Sequence, residues 1–484
     1  MINLFVVESL KDWTLQIQGV EVISSTEYLM SYKYRDQTSL RVFNLCRSYS
    51  YQSEGFYVSL LATARGHKPT PSVTTILDMK STSLLKIRSE VLDELIQQSL
   101  KDIRSKEFEL SIYFGKNLAK KYDDLSHELH KHFHSPLLRA RFIYKDKWRL
   151  KWVGPIALKD VPYSHLKFIE EFASEYFSKR MRTFIPKRTR FNLAILCNPN
   201  EKMPPSNKKG ISNFIKAANK LMIATELIGK DDFNRLVEFD ALFIRETTHV
   251  NHHTYRFAQK AKALGLVVID DPDSILKCTN KVYISELFAK HRIPSPKTMI
   301  IHESNVDEVE KTLGLPCVLK QPDSAFSQGV KKASSKEELK DQLTLLLGES
   351  DLIIGQEYIP TDFDWRVGIL DGEPLYVCKY YMAKGHWQIY QNVSKDNVEN
   401  GRASTFLVEQ VSPELIKLAV KSARLIGKGL YGLDIKEKDG KFYVIEINDN
   451  PSIDGGIEDD LLKTRLYDRI MECFLQRMIK NSEE

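Results

Sequence analysis

The chain has 484 residues, of which 42% are hydrophobic, 28% charged and 10% aromatic, with a formal net charge of +6. That length predicts about three domains, and the charge is too mild to signal nucleic acid. No apolar run reaches the roughly 18 residues that cross a bilayer, and Met1 to Glu8 contain no basic leader, so the expectation is a cytoplasmic protein bound to neither membrane nor nucleic acid. Six scattered cysteines indicate neither a disulfide framework nor a zinc site.

Residues 1–188 mix short strands (Leu4–Val7, Phe108–Phe114, and Leu138–Leu150 with Trp148) with helical patterns (Leu92–Leu100, Leu118–Phe133), an α+β block with no nucleotide-loop signature. The run Lys179 to Arg190 holds six cations and no anion. Pro186 interrupts it and Phe184 is its only aromatic, which favours a solvated linker over an anion-binding patch. Residues 189–276 alternate a buried strand (Phe191–Cys197), a helix (Ile211–Thr225), a strand (Asp240–Arg245), a helix (His253–Leu264) and a strand (Gly265–Asp270), as in a parallel α/β sheet.

Residues 277–484 begin with a helix at Lys281–Lys290, the segment Thr298–Ile301 and the apolar strand Cys317–Lys320. The small-residue loop Ser324–Val330, a helix at Lys336–Leu347 and the strands Leu352–Ile359, Trp365–Leu370 and Leu375–Met382 follow. The polar stretch Ala383–Ser404 predicts a mobile loop; a helix at Pro413–Ile426, an acidic hairpin and a helix at Asp459–Ile479 complete the chain.

The hairpin carries the strongest chemical signal. Asp434 lies in an apolar run, Asp439-Gly440 supplies a turn, and the returning strand alternates at Ile445-Glu446-Ile447-Asn448 before Pro451. Glu446 and Asn448 share one strand face, and the hairpin can bring Asp434 beside them. Two carboxylates and an amide oxygen suit a hard Mg2+ shared with nucleotide phosphates; an ordinary acidic surface hairpin is the alternative.

Upstream, Lys320 closes a buried strand, where a lysine needs an anionic partner, and the following loop could fold backbone N–H groups over phosphates. Lys281 is either a second cation or a helix-start surface residue. The strand end Gln356-Glu357-Tyr358-Ile359 can offer backbone N–H and C=O to an adenine edge. Asp364 and Arg366 share a face, so Arg366 either holds a phosphate or substrate carboxylate or makes an internal salt bridge. Arg245, Thr248 and His253 follow the second strand of the α/β block, where open sheets bind ligands, and are candidates for substrate contact against helix capping and packing. The run His127 to His134 fails H-E-x-x-H because position 131 is lysine, so it is not read as a metal site.

Taken in order, Asn280-Lys281, Val318-Leu319-Lys320, Gln356-Glu357-Tyr358-Ile359, Asp364-x-Arg366, Gly432-x-Asp434-Ile435 and Glu446-x-Asn448-x-x-Pro451 resemble the ATP-grasp carboxylate–amine ligases of the RimK/glutathione-synthetase-like branch. Ile112-Tyr113-Phe114-Gly115-Lys116, Pro136-Leu137-Leu138-Arg139 and Trp148-x-Leu150 resemble the RimK-like ATP-grasp N-terminal (RLAN) domain. The implied architecture is α+β and multidomain: an N-terminal α+β domain (1–188), a parallel α/β pre-ATP-grasp domain (189–276) and an ATP-grasp domain whose two α+β subdomains clamp ATP (277–484). The resemblance implies that Lys281, Lys320, Ser327, Gln328 and Gly329 bind ATP phosphates, with Gln356, Glu357, Tyr358 and Ile359 at the adenine and Asp364 near the nucleotide. Asp434, Glu446 and Asn448 would hold two Mg2+, with Mn2+ as a substitute, and Lys320, Arg366 and Asn450 would serve catalysis. Lys379, His386, Trp387 and Asp454 join the substrate candidates. Where ribosomal-protein ligases carry a basic Arg-Ser-Asn loop, this chain has Lys384-Gly385-His386-Trp387-Gln388-Ile389, so their acceptor specificity is not implied.

The implied reaction is ATP- and Mg2+-dependent joining of a carboxylate to an amine through an acyl-phosphate, acting on an amino acid or peptide, with a protein acceptor allowed and a homo-oligomer expected. A small-molecule kinase of the same fold and a nucleotide-binding regulator without turnover are the alternatives.

Overall fold

The computed structural model describes residues 2–34, 37, 40–178, 189–323, 329–383, 386–394, 397–400 and 402–483. The chain forms two compact units, residues 1–194 with 222–240 and residues 195–221 with 241–484.

In the first unit, β1 (Ile2–Val7), β2 (Val20–Ser24), β3 (Leu40–Asn44) and β4 (Lys68–Thr70) form a parallel sheet in the order β2-β1-β3-β4. Only β1 stands out in the sequence, because β2 to β4 are three to five residues long. β5 (Glu107–Tyr113), β6 (Leu137–Tyr144) and β7 (Trp148–Pro155) form an antiparallel meander, so the expected Leu138–Leu150 strand is a hairpin. Phe5 and Phe43 pack with Phe114 and Phe177 into one core cluster.

β8 (Phe191–Leu196) contributes residues through Ala194 to this unit, and β9 (Ile223–Ile228) lies beside it. The expected helix over Ile211–Thr225 instead ends at Lys220. Met222 adopts a positive φ of 57°, which reverses the chain into β9. The β9 residue Glu226 joins a buried charge network: Arg41 Nη2 is 2.9 Å from Glu226 Oε2, and Arg41 Nε is 3.2 Å from Glu238 Oε2. Tyr176 OH donates to Glu238 Oε1 at 3.2 Å and lies 3.4 Å from His134 Nε2. The His127–His134 run thus turns its buried rings, His130 and His134, into packing, and burial holds His130 well below the usual histidine range.

The second unit begins with parallel strands β10 (Ala241–Ile244) and β11 (Val267–Ile269). Helix Lys208–Lys220 sets Phe214 edge-on to Phe243 and to Tyr467 of the C-terminal helix Thr464–Glu483. Next comes an antiparallel sheet of β12 (Thr298–Ile301), β13 (Cys317–Lys320), β14 (Val330–Ala333) and β15 (Ile353–Glu357), in the order β12-β15-β13-β14. Leu339, Leu343 and Leu346 of helix Lys336–Leu347 close its apolar face.

The larger sheet contains β16 (Phe363–Leu370) and β17 (Glu373–Tyr381). β18 (Tyr390–Ser394) and β19 (Asn397–Asn400) form a separate hairpin, and β20 (Ala403–Phe406) joins the edge of β17. The expected Ala383–Ser404 loop is therefore partly strand: edge pairing satisfies backbone groups and needs no apolar side chains. β21 (Leu430–Lys438) and β22 (Lys441–Asn448) complete the order β20-β17-β16-β21-β22, packed against helix Pro413–Ile426. Among the described residues, no helix is long and apolar enough to cross a membrane.

Candidate functional site

The three adjacent strands β16, β21 and β22 set one row of charge. Arg366 is the register partner of Asp434, and Asp434 is the partner of Glu446. Like charges directly opposite each other repel, so the acidic pair needs cations on its flanks. Arg366 supplies one: Nε donates to Asp434 Oδ1 at 2.5 Å and Nη2 to Oδ2 at 2.9 Å, a bidentate fork. Gly432 makes the approach possible, because a Cβ there would meet Pro451 Cβ at 2.6 Å and Arg366 Cδ at 3.1 Å.

The opposite flank comes from the smaller sheet. Lys320, the last residue of β13, is buried, and burial together with Lys281 and Lys436 pushes its ammonium down to about 8 while Glu446 opposes the shift. Lys281 begins a helix that Asn280 caps through Tyr283 N at 3.0 Å; burial lowers its pKa against the pull of Glu446 and Asp323. Burial pushes the Glu446 carboxyl up, but Lys281 and Lys320 outweigh it and hold the group below its usual range. Burial pushes the Asp434 carboxyl up to about 7 against the opposing Arg366 guanidinium, and the neighbouring Glu446 adds to the rise. Asn448 completes the set, its amide Nδ2 lying 3.4 Å from Asp434 Oδ2 and from Glu446 Oε1. Two facing carboxylates and an amide, all oxygen donors beside ammonium groups, fit a hard divalent cation with a polyphosphate next to it.

Lys281, Lys320, Asp364, Arg366, Asp434, Glu446 and Asn448 line one cleft, as do Gln356 to Ile359. Gln356 Nε2 donates to Thr298 Oγ1 at 3.0 Å, and Glu357 Oε1 accepts from Lys297 N at 2.9 Å, which fixes the strand end. Trp387 also lines the cleft and meets Tyr358 edge-on at 6.0 Å, with Lys332 Nζ over both rings. Asp364 does not pair with Arg366; its Oδ1 takes Lys436 Nζ at 2.6 Å and Thr361 Oγ1 at 3.2 Å. Gly329 has a φ of +69° and accepts from Gln321 N at 3.0 Å, while Ser327 and Gln328 lie outside the described residues.

The substrate candidates divide. Thr248 lines the cleft beside Asp449, whose carboxyl is pushed up to about 7 by burial against a hydrogen bond from Thr248. Arg245 is spent internally: its guanidinium donates to Ser206 Oγ at 2.9 and 3.1 Å, to Asn450 Oδ1 at 2.6 Å and to Pro451 O at 2.8 Å. Asn450 Nδ2 donates to Glu246 O at 2.7 Å, so this cleft residue is held at both ends of its amide. Asp454 accepts from Asn207 N at 2.6 Å and ties the loop after β22 to helix Lys208–Lys220. Lys379 Nζ sits over the rings of Phe363 and Trp365, and His386 folds into a local turn by accepting from Gln388 N at 3.2 Å. His253 faces Glu246. None of Arg245, His253, Lys379, His386 and Asp454 lines the cleft among the described residues.

Sequence patterns passed over Lys436 and the Pro205–Ser206 segment. A lysine on a strand face pairing with Asp364 becomes legible only once β16 and β21 are known to be neighbours.

Residues 25–172 match the family model "RimK-like ATPgrasp N-terminal domain" and residues 278–472 the "RimK-like ATP-grasp domain". The coenzyme gamma-F420-2:alpha-L-glutamate ligase of Methanococcus maripaludis is 26% identical over 56% of this chain and 94% of that protein. The alpha-aminoadipate–LysW ligase LysX of Saccharolobus solfataricus is 29% identical over 39% of this chain and 67% of its own. The ATP complex of D-alanine–D-alanine ligase from Bacillus anthracis superimposes with a TM-score of 0.48 at 18% identity, covering 61% of this chain and 99% of that one. Residues 278–472 thus form a RimK-like ATP-grasp domain and residues 25–172 an RLAN-type domain, and the chain is an ATP-dependent carboxylate–amine ligase related to enzymes that form C–N bonds.

Proposed function

We propose that the cleft activates a substrate carboxylate with ATP and passes the acyl group to the amine of an amino acid or peptide, and that it works inside the cytoplasm. Lys281 and Lys320 bind the nucleotide phosphates, and the strand end Gln356–Ile359 takes the adenine edge between apolar side chains and the Tyr358–Trp387 pair. Asp434, Glu446 and Asn448 would hold two Mg2+, which when bound would supply charge neutralisation at the transferring phosphoryl group. A carboxylate oxygen attacks the γ-phosphorus and ADP departs. The amine then attacks the acyl carbon, phosphate departs, and the amine loses its proton. Negative charge develops on oxygen in both steps, so cations already in place lower both barriers. Arg366 acts as a positioning residue: the fork keeps the Asp434 carboxyl aimed and opposes the burial that raises its pKa.

The observation that carries the proposal is the row Arg366–Asp434–Glu446 with Lys320 and Lys281 on its other flank. The names of the two archaeal relatives, which pair a ligase with glutamate or aminoadipate, support an amino acid as one substrate. Incubation of the protein with ATP, Mg2+ and a panel of amino acids and peptides, read by mass spectrometry, tests it. A product equal to two partners less water, with ADP and phosphate, is expected; a phosphorylated substrate would instead make the enzyme a kinase.

A further inference from the structure

A second set of donor atoms sits just beyond the end of β10, off the cleft lining. Glu246 is 3% exposed, and its Oε2 has no hydrogen-bond partner. His253 Nε2 lies 2.9 Å from Glu246 Oε1 yet makes no hydrogen bond, because its N–H direction misses the carboxylate. An imidazole nitrogen this close to a buried carboxylate whose second oxygen is unpartnered can be drawn onto one ion. The neighbouring His252 ring lies 3.9 Å from that of His253, and its Nδ1 is 3.2 Å from Thr254 Oγ1. One donor atom from each of the three residues lies within 4.8 Å of the others.

We propose that Glu246, His252 and His253 form a binding site for a borderline-soft divalent cation such as Zn2+, with a fourth position left for solvent or another donor. Two imidazoles and one carboxylate are a characteristic set for Zn2+, whereas Mg2+ prefers oxygen alone. Bond lengths of about 2.0–2.1 Å put tetrahedral ligands roughly 3.4 Å apart, so closure needs about 1 Å of movement. His252 and His253, at the start of helix His253–Ala263, are partly exposed and have room for it. The isolated-cysteine pattern gave no hint of this site because it contains no cysteine pair. Glu246 also accepts Asn450 Nδ2 through its carbonyl, so the ion would stiffen the strand end that anchors the loop following Asn448.

The test uses the full chain, stripped with a chelator and titrated with Co2+ in the presence of excess Mg2+ and ADP. One Co2+ per chain, with the intense visible bands of a tetrahedral complex and displacement by Zn2+, is expected. Glu246→Gln, His252→Asn and His253→Asn should each weaken Co2+ binding about tenfold or more, while Glu446→Gln retains it. Thermal melts of the variants without metal verify that they are folded. Absence of tight Co2+ binding in the wild-type chain, or binding that survives all three substitutions and disappears with Glu446→Gln, would overturn the proposal and leave Glu246 and His253 as an ion pair.

Discussion

Arg366 and Asp434 are locked together across adjacent strands by two parallel hydrogen bonds of 2.5 and 2.9 Å, and Glu446 occupies the next place in the same row. The guanidinium therefore stabilises a carboxylate that burial and a second acid both disfavour. Arg366→Met removes the counter-charge, so Asp434 takes up a proton at neutral pH and both charge-assisted hydrogen bonds are lost, a loss of about 1–3 kcal/mol in stability. Urea denaturation measures it. The double variant Arg366→Met/Asp434→Asn, which removes the buried acid as well, should recover part of the loss; an unchanged midpoint in the single variant would contradict the account.

Lys320 predicts a pH dependence. Its ammonium titrates at about 8 in the folded chain, below the ordinary 10.5. The folded state thus binds the proton more weakly than the unfolded one, so this group's contribution to stability rises with pH from about 8 to 10.5. A polyphosphate favours the charged form, and its binding takes up a proton above pH 8. ADP affinity, measured calorimetrically without metal, should be level just below pH 8 and fall as pH rises through it. Lys320→Met should bind more weakly and lose that inflection.

Gly432 sets how closely β21 approaches the loop after β22. Gly432→Ala would press its methyl into the rigid Pro451 ring, where the built contact is 2.6 Å. We expect a loss of about 1–3 kcal/mol and impaired Mg2+-dependent turnover, read from thermal melts and ADP release. Wild-type values in both would contradict the close approach.

The meeting of Asp434, Glu446 and Asn448 on one hairpin was legible in the sequence because it is local: Asp434 interrupts an apolar run, and Glu446 and Asn448 alternate with Ile445 and Ile447. Lys320 was legible for the same reason, as a charge ending a buried strand. The partner of Arg366 was not, since it depends on the β16–β21 register between residues 68 apart in sequence. Arg245 shows the same limit. A strand-end arginine suggests a ligand, yet its donors go to Ser206, Asn450 and Pro451, contacts that only the folded chain creates. The short parallel strands β2 to β4 and the polar strands β18 to β20 escaped because neither length nor alternation marks them.

Arg245 provides a separable test of the loop that follows Asn448. Arg245→Lys keeps the charge but loses the planar fork that reaches Ser206, Asn450 and Pro451 together. Turnover should drop roughly 10²-fold through misplacement of the loop, with ADP affinity within about twofold of wild type. A loss confined to nucleotide binding would contradict that role.

The central claim, that a carboxylate is phosphorylated before the amine attacks, is tested most directly by tracing oxygen. The carboxylate panel is labelled with heavy oxygen and incubated with the enzyme, ATP, Mg2+ and amines, and the released phosphate is analysed by mass spectrometry. One heavy oxygen transferred from the carboxylate into phosphate is the predicted result, absent with Glu446→Gln. ADP release accompanied only by unlabelled phosphate, or by a stable phosphorylated substrate, would contradict it.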